Sequence, residues 1–212
     1  MDAPDTRTQL LDAAERLFAE RGFAGASVRA ITDLAGANLA AVKYHFGSKA
    51  DLLTAVVRRV VDPITAAQSA GLDHLLALPD PPTAADLVEA FAGPLFDGMA
   101  EGDESRSRLV VAIVCDPAEE MRGWTGPAED EVRARYLAAF GRALPGLTLD
   151  ELAFRLRSVL AVTAVDRVGA ANGDTDPECG PSGGGSSGGG RARRWVITFL
   201  AAAMSAPATG AR

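Results

Sequence analysis

Lysine is almost absent from this chain: of 21 basic residues, only Lys43 and Lys49 are not arginine. Cysteine is equally scarce. Cys115 closes the apolar run Leu109–Cys115, Cys179 lies in a glycine-rich tract, and no CxxC spacing occurs. This excludes a disulfide scaffold and a cysteine-rich zinc site. There are two histidines. His74 stands alone beside Asp73, and His45 belongs to the lysine-bearing stretch. No Ser-His-Asp spacing, HExxH or phosphate loop accompanies them, so neither catalysis nor a metal or other cofactor is expected. No apolar run is long enough to span a bilayer, because the best, Trp195–Met204, is too short. The segment Met1–Arg7 lacks the apolar core of a signal peptide. A cytoplasmic protein without membrane contact is the expectation.

What is present is helix chemistry. The 212 residues are 48% hydrophobic, much of it alanine, and the apolar positions recur at helical spacing. Four helix starts carry a hydroxyl three residues ahead of an acid or amide: Thr6–Gln9, Ser48–Asp51, Thr83–Asp86 and Thr148–Glu151. In such a box the hydroxyl accepts an orphan backbone N–H, while the N3 side chain reaches back. The first helix is predicted over Arg7–Arg21, ended by Gly22, with Phe23 folding back. Ser27 caps a second, with Val28, Ile31 and Leu34 inward, and Gly36 makes the turn. Asn38 caps a third over Leu39–Phe46, and Ser48 opens a fourth.

Beyond Val60 the pattern stays helical. Pro63 predicts a kink or restart, Pro94 a kink or break. Further helices are expected over Ile64–Leu78, Thr83–Ala100, Ser105–Cys115, Pro127–Leu144, Thr148–Val168 and Arg191–Ser205. Residues 172–190 read as a flexible Gly/Ser linker. No strand is predicted. The fold class is therefore all-α. Residues 1–61 are expected to form an N-terminal three-helix helix-turn-helix domain, and residues 62–212 a second helical domain.

Charge divides the same way. Met1–Val60 carry 8 Lys/Arg against 7 Asp/Glu, a balance of +1. The remainder carries 13 against 21, a balance of −8 within a total of −7. An acidic body repels a polyanion everywhere except at the head, which orients docking and weakens non-specific affinity. Solubility alone also accounts for such a balance.

The stretch Ser27-Val-Arg-Ala-Ile, Leu34-Ala-Gly-Ala-Asn38, Val42-Lys-Tyr-His-Phe-Gly-Ser-Lys49 resembles the N-terminal domain of TetR-type transcriptional regulators. The likeness covers about Thr6–Val57. It implies that residues 62–212 are a helical effector and dimerisation domain, and that the protein is a homodimer on a palindromic double-stranded DNA operator, released when a small molecule enters the C-terminal body. Ser27 and the backbone N–H groups of Val28 and Arg29 form a phosphate site at a helix N-terminus. Asn38, Leu39 and Ala40 open the recognition helix and Lys43 reaches base edges, while Tyr44, His45 and Lys49 hold phosphates. Lys43 stands where the family commonly has Asn, so the operator cannot be borrowed from relatives. Arg58 and Arg59 read as a solvated face.

In the body, Phe91, Phe96, Met99, Ile113, Met121, Trp124 and Tyr136 are candidates to line a pocket for a small hydrophobic or aromatic effector. The same stripe also fits a solid core. Val159, Val162 and Val165, with Val196, Phe199 and Leu200, are candidates for a four-helix dimer interface. The alternative is an effector-independent DNA-binding regulator or an activator.

Overall fold

A computed structural model describes residues 5–98, 109, 126–171 and 188–208, giving backbone alone for 164–171 and 188–192. Every regular element among them is helical. Apart from Leu109, the expected helix over Ser105–Cys115 lies outside the described residues, as do the pocket candidates Met99, Ile113, Met121 and Trp124, both cysteines and residues 172–187 of the linker.

One compact unit runs from the N-terminus to Asp62. Helix α1 (Thr6–Gly25) starts one residue earlier than predicted, because Asp5 rather than Thr6 caps it, accepting from the Thr8 N–H at 2.7 Å. That backbone bond, with the Thr8 side chain, holds the exposed Asp5 carboxyl below its ordinary pKa. Gly22 breaks the helix at φ 67, a left-handed value that disfavours side chains. Phe23 then folds back, its ring 5.9 Å from Phe18. Helices α2 (Val28–Ala35) and α3 (Leu39–His45) pack on α1 and on each other. Leu10, Ala14, Leu17, Phe18, Ile31 and Val42 are buried; each large one contributes about 1.5–3 kcal/mol. Leu34, predicted inward, is 47% exposed.

Helix α4 (Lys49–Leu76) is continuous through Pro63, where a kink or restart was predicted. The Pro63 ring is exposed, while Val56, Val57, Val60 and Ile64 are buried. The proline removes one N–H on the solvent side only, and packing on the other side holds the helix together. Ser48 and Asp51 form the predicted box, with Asp51 N–H to Ser48 Oγ 3.1 Å and Ser48 Oγ to Asp51 2.6 Å.

The second unit begins at Pro63. It holds the rest of α4 with α5 (Ala84–Gly98), α6 (Pro127–Ala143), α7 (Leu149–Ala171) and α8 (Gly188–Met204). Thr83 and Asp86 close the box of α5, and their bonds hold Asp86 below its usual pKa. Thr148 caps α7 through the Glu151 N–H. Helix α5 also passes through its proline, Pro94. Helix α8 begins three residues inside the tract predicted as linker. Helix α5 packs on α6, α7 and α8, and α7 packs on α6 and α8. Phe91, Tyr136, Phe140, Leu152 and Leu156 lie in their shared core. No described helix is long and apolar enough to cross a membrane.

Candidate nucleic-acid interface

The turn between α2 and α3 is closed by backbone. Gly36, at φ 64, donates to Asp33 O at 3.3 Å, and Ala37 N–H donates to Thr32 O at 2.9 Å. Only a residue tolerant of the left-handed region makes so sharp a reversal cheaply. Ile31 and Val42, both buried, anchor the two helices beneath the turn. This fixes which face of α3 points outward. Leu39, Ala40, Lys43 and Tyr44 share the face turned away from Val42, and all four are exposed. Leu39 is 57% exposed and Tyr44 85%.

The N-termini of α2 and α3 are both capped. Ser27 Oγ accepts from Ala30 N–H at 3.1 Å, and Asn38 Oδ1 accepts from Ala41 N–H at 2.9 Å. The N–H groups of Val28 and Arg29 fall in the first turn, where a helix offers no internal acceptor. Asn38 keeps its amide nitrogen for a further bond, its oxygen being committed to the cap. At the other end of α3, the Tyr44 ring meets the half-buried His45 ring edge-on, with centroids 4.9 Å apart. Phe46 is half-buried beneath the Arg7 guanidinium, 5.2 Å from the ring centre. Exposed apolar and cationic groups on one helix, with free amides at the start of its neighbour, suit base edges and phosphates together.

Two basic residues differ from expectation. Lys49, predicted as a phosphate donor, is half-buried; its Nζ donates to the Phe23 carbonyl and lies 4.3 Å from the centre of the Phe23 ring. Arg59, predicted as solvated, reaches Asp12 at 2.6 Å and also pairs with Glu15, whose side chain is 7% exposed. Burial opposes the Arg59 charge, but the bonds to Glu15 and Asp12 outweigh it and raise its pKa. The α1 partners are 44 and 47 residues distant in sequence, so no local pattern announces them. Arg58 pairs with Asp62 on an exposed face, as predicted.

A family model described as bacterial regulatory proteins of the tetR family matches residues 10–56. A second, the tetracyclin repressor-like C-terminal domain, matches residues 89–203, more than half of the chain. The chain belongs to the TetR family. Members are regulatory proteins, not enzymes. The HTH-type transcriptional regulator TtgR of Pseudomonas putida is 41% identical over 56 residues, 26% of this chain and 27% of that protein. The HTH-type transcriptional repressor AcnR of Corynebacterium glutamicum is 39% identical over 54 residues, 26% of this chain and 29% of that protein. The alignments thus span under a third of either relative. The fold of the whole chain is like that of FadR from Bacillus subtilis, solved in complex with stearoyl-CoA. The TM-score is 0.60 at 15% identity, covering 92% of this chain and 98% of that one.

The body candidates divide. Phe91, Phe96 and Tyr136 are buried as core. The Phe91 and Tyr136 rings meet edge-on at 4.8 Å, and the Tyr136 hydroxyl donates to Gln68 O at 2.9 Å. Burial raises the Tyr136 pKa, with Arg135 opposing. Of the dimer candidates, Val159 and Leu200 are 2% exposed inside this protomer's own core, and Val196 packs against that core. Val159 and Leu200 thus contribute to this chain's own core while also lining the floor of the groove between α7 and α8. Val162, 37% exposed, and Phe199, 61% exposed, face outward beside Phe154 and Trp195. The Val165 side chain lies outside the described residues. An apolar groove of about 710 Å³ runs between α7 and α8 over this face.

Sequence reasoning missed Arg155. Its guanidinium donates to Met204 O and Ala206 O at 2.7 Å, to Pro207 O at 2.9 Å and to Ala203 O at 3.3 Å, while pairing with Glu151 at 2.7 Å. It caps the C-terminus of α8, where carbonyls have no helical partner.

Proposed function

We propose that the chain is a DNA-binding transcriptional regulator, acting as a homodimeric repressor on a palindromic operator and released by a small hydrophobic effector. One observation carries the DNA reading: Leu39, Ala40, Lys43 and Tyr44 are exposed together on α3. Helix α3 enters the major groove; Lys43 donates to guanine O6 or N7, and Leu39 and Ala40 meet thymine methyls. Val28 and Arg29 N–H, with Ser27, Tyr44 and His45, hold phosphates on either side. Two copies joined through the outward face of α7 and α8, Val162 and Phe199 included, set two such helices about 34–36 Å apart. The repressor direction is supported by AcnR, a relative described as a repressor.

The effector is proposed as a hydrophobic molecule, supported by the likeness in fold to a protein holding stearoyl-CoA. A second reading, regulation without an effector, is favoured by the packing of Phe91 and Tyr136 against one another. Selection of duplexes from randomised DNA, followed by footprinting, tests the first claim. A two-fold symmetric footprint is expected, and no salt-sensitive retention of any duplex refutes it. Melting with fatty acyl-CoA and free fatty acids separates the two readings. A ligand that raises Tm and also weakens the selected duplex supports release; no shift from any of them favours the effector-independent form.

A further inference from the structure

We infer that Lys49 is a positioning residue of the DNA-binding head, setting the distance between its two phosphate stations, and not itself a phosphate contact. The inference rests on the DNA-binding reading above. Lys49 opens α4, three residues after Phe46, the C-cap of α3. Its ammonium donates to the carbonyl of Phe23 and lies over the Phe23 ring. Phe23 follows the break at Gly22 and stands four residues ahead of Ser27, the N-cap of α2. One side chain therefore ties the exit of α3, where Tyr44 and His45 lie, to the entry of α2, where the Val28 and Arg29 amides lie. The segment between them needs such a tie. Gly22 leaves the helical region, so Phe23–Gly25 form a single helical turn beyond a break, and an isolated turn has little stability of its own.

A lysine suits the task. Its ammonium offers three donors, and a cation both strengthens the carbonyl bond and is attracted to the ring face. A guanidinium offers the same two interactions in planar form. A methionine keeps the apolar stem and loses both.

The test uses Lys49→Met, Lys49→Arg and Phe23→Leu in the full-length protein, on a duplex selected from randomised DNA by the unsubstituted chain. Affinity is titrated at several salt concentrations and at a temperature where melting curves show every variant folded. Positioning predicts that Lys49→Met weakens binding about tenfold at every salt concentration, with the slope of log K against log salt unchanged, since one charge-assisted bond corresponds to about that factor. Lys49→Arg restores most of the affinity. Phe23→Leu weakens it less, and adding it to Lys49→Met costs little more, because the two residues form one contact. A slope reduced by about 0.9 with Tm unchanged marks a phosphate contact and overturns the inference. Lower Tm with unaltered affinity marks a merely stabilising bond and overturns it as well. If no duplex is selected by the unsubstituted protein, the DNA-binding reading fails first and takes this inference with it; a selected duplex with a lost slope sinks the inference alone.

Discussion

Replacing Arg155 by methionine removes the cap of α8 while keeping most of the buried stem. The Arg155 side chain is 11% exposed and its partner Glu151 18%, so solvent screening is modest. Three carbonyl bonds of 2.7–2.9 Å are lost. A hydrogen bond to a charged group contributes about 1.5–3 kcal/mol, so a simple sum sets a ceiling of about 4–9 kcal/mol. The carbonyls of Ala206 and Pro207 belong to exposed residues and recover much of that from water. Met204, 1% exposed, recovers far less. The net cost is therefore about 2–4 kcal/mol, a fall in Tm of roughly 6–12 °C for a chain of this size. Thermal melting by circular dichroism measures it, and hydrogen exchange at the Ser205 amide, which donates to Ala201 O, shows whether the last turn frays first. Arg155→Lys is expected in between, since one ammonium cannot span four carbonyls. Exposed Arg157→Ala, two residues away, is the control and is expected within about 0.5 kcal/mol of the parent. The capping argument is refuted if Arg155→Met costs no more than that control.

Lys43→Ala is expected to leave Tm unchanged, because the side chain is exposed. It should also erase preference at one base pair, about 1–3 kcal/mol of discrimination, read by competition with single-substituted duplexes; uniform weakening across all of them contradicts the base-contact role. Phe199→Glu places a charge on the outward face of α8 and should convert dimer to monomer in sedimentation without unfolding the protomer; a dimer that persists rejects that face as the interface. Tyr136→Phe loses the bond to Gln68 O and should cost about 1 kcal/mol at neutral pH. Because burial raises the Tyr136 pKa in the folded chain, its contribution is complete below the unfolded value of about 10 and is lost as pH climbs above it. The urea midpoint of the parent should thus fall between pH 9 and 11 more steeply than that of Tyr136→Phe; equal slopes count against the linkage.

Local chemistry made most of the fold legible. Caps act over three residues, so the hydroxyls of Ser48, Thr83 and Thr148 accept the predicted N–H groups, and at Thr83 the acid also reaches back to the backbone. At α1 two good caps stood side by side, and the carboxylate of Asp5 took the place assigned to Thr6. Neither proline ends its helix. Pro63 and Pro94 lie inside continuous helices, because one missing N–H is a smaller loss than separating buried faces held on both sides of it. In the candidate site, the exposed face of α3 follows from periodicity once Val42 is known to be inward. The employment of Lys49 does not, since its acceptor is 26 residues away. Helical spacing also marked Val159 and Leu200 as apolar but not which partner they face. An inward stripe looks the same whether its cover is the same chain or a second copy.

The cations are placed according to what each can grip. Arg59 joins α4 to two acids on α1, and Arg135 on α6 binds Ser69 and Asp73 on α4. Arg155 on α7 holds the end of α8, and Arg193 on α8 meets Glu89 and Asp97 on α5. Arg59, Arg135 and Arg155 each hydrogen-bond two or more acceptors at once, which a planar fork is shaped to do. Their acceptors include acids, so part of the chain's acidic surplus is turned to internal helix contacts and not to solvent. That leaves the outward-facing charge of α3 to Lys43, a flexible point donor on a short helix. If Lys43 holds DNA as proposed, salt that screens it from a phosphate or base leaves these partly buried pins largely intact, so a bound duplex is expected to dissociate at salt concentrations well below those at which the helices come apart.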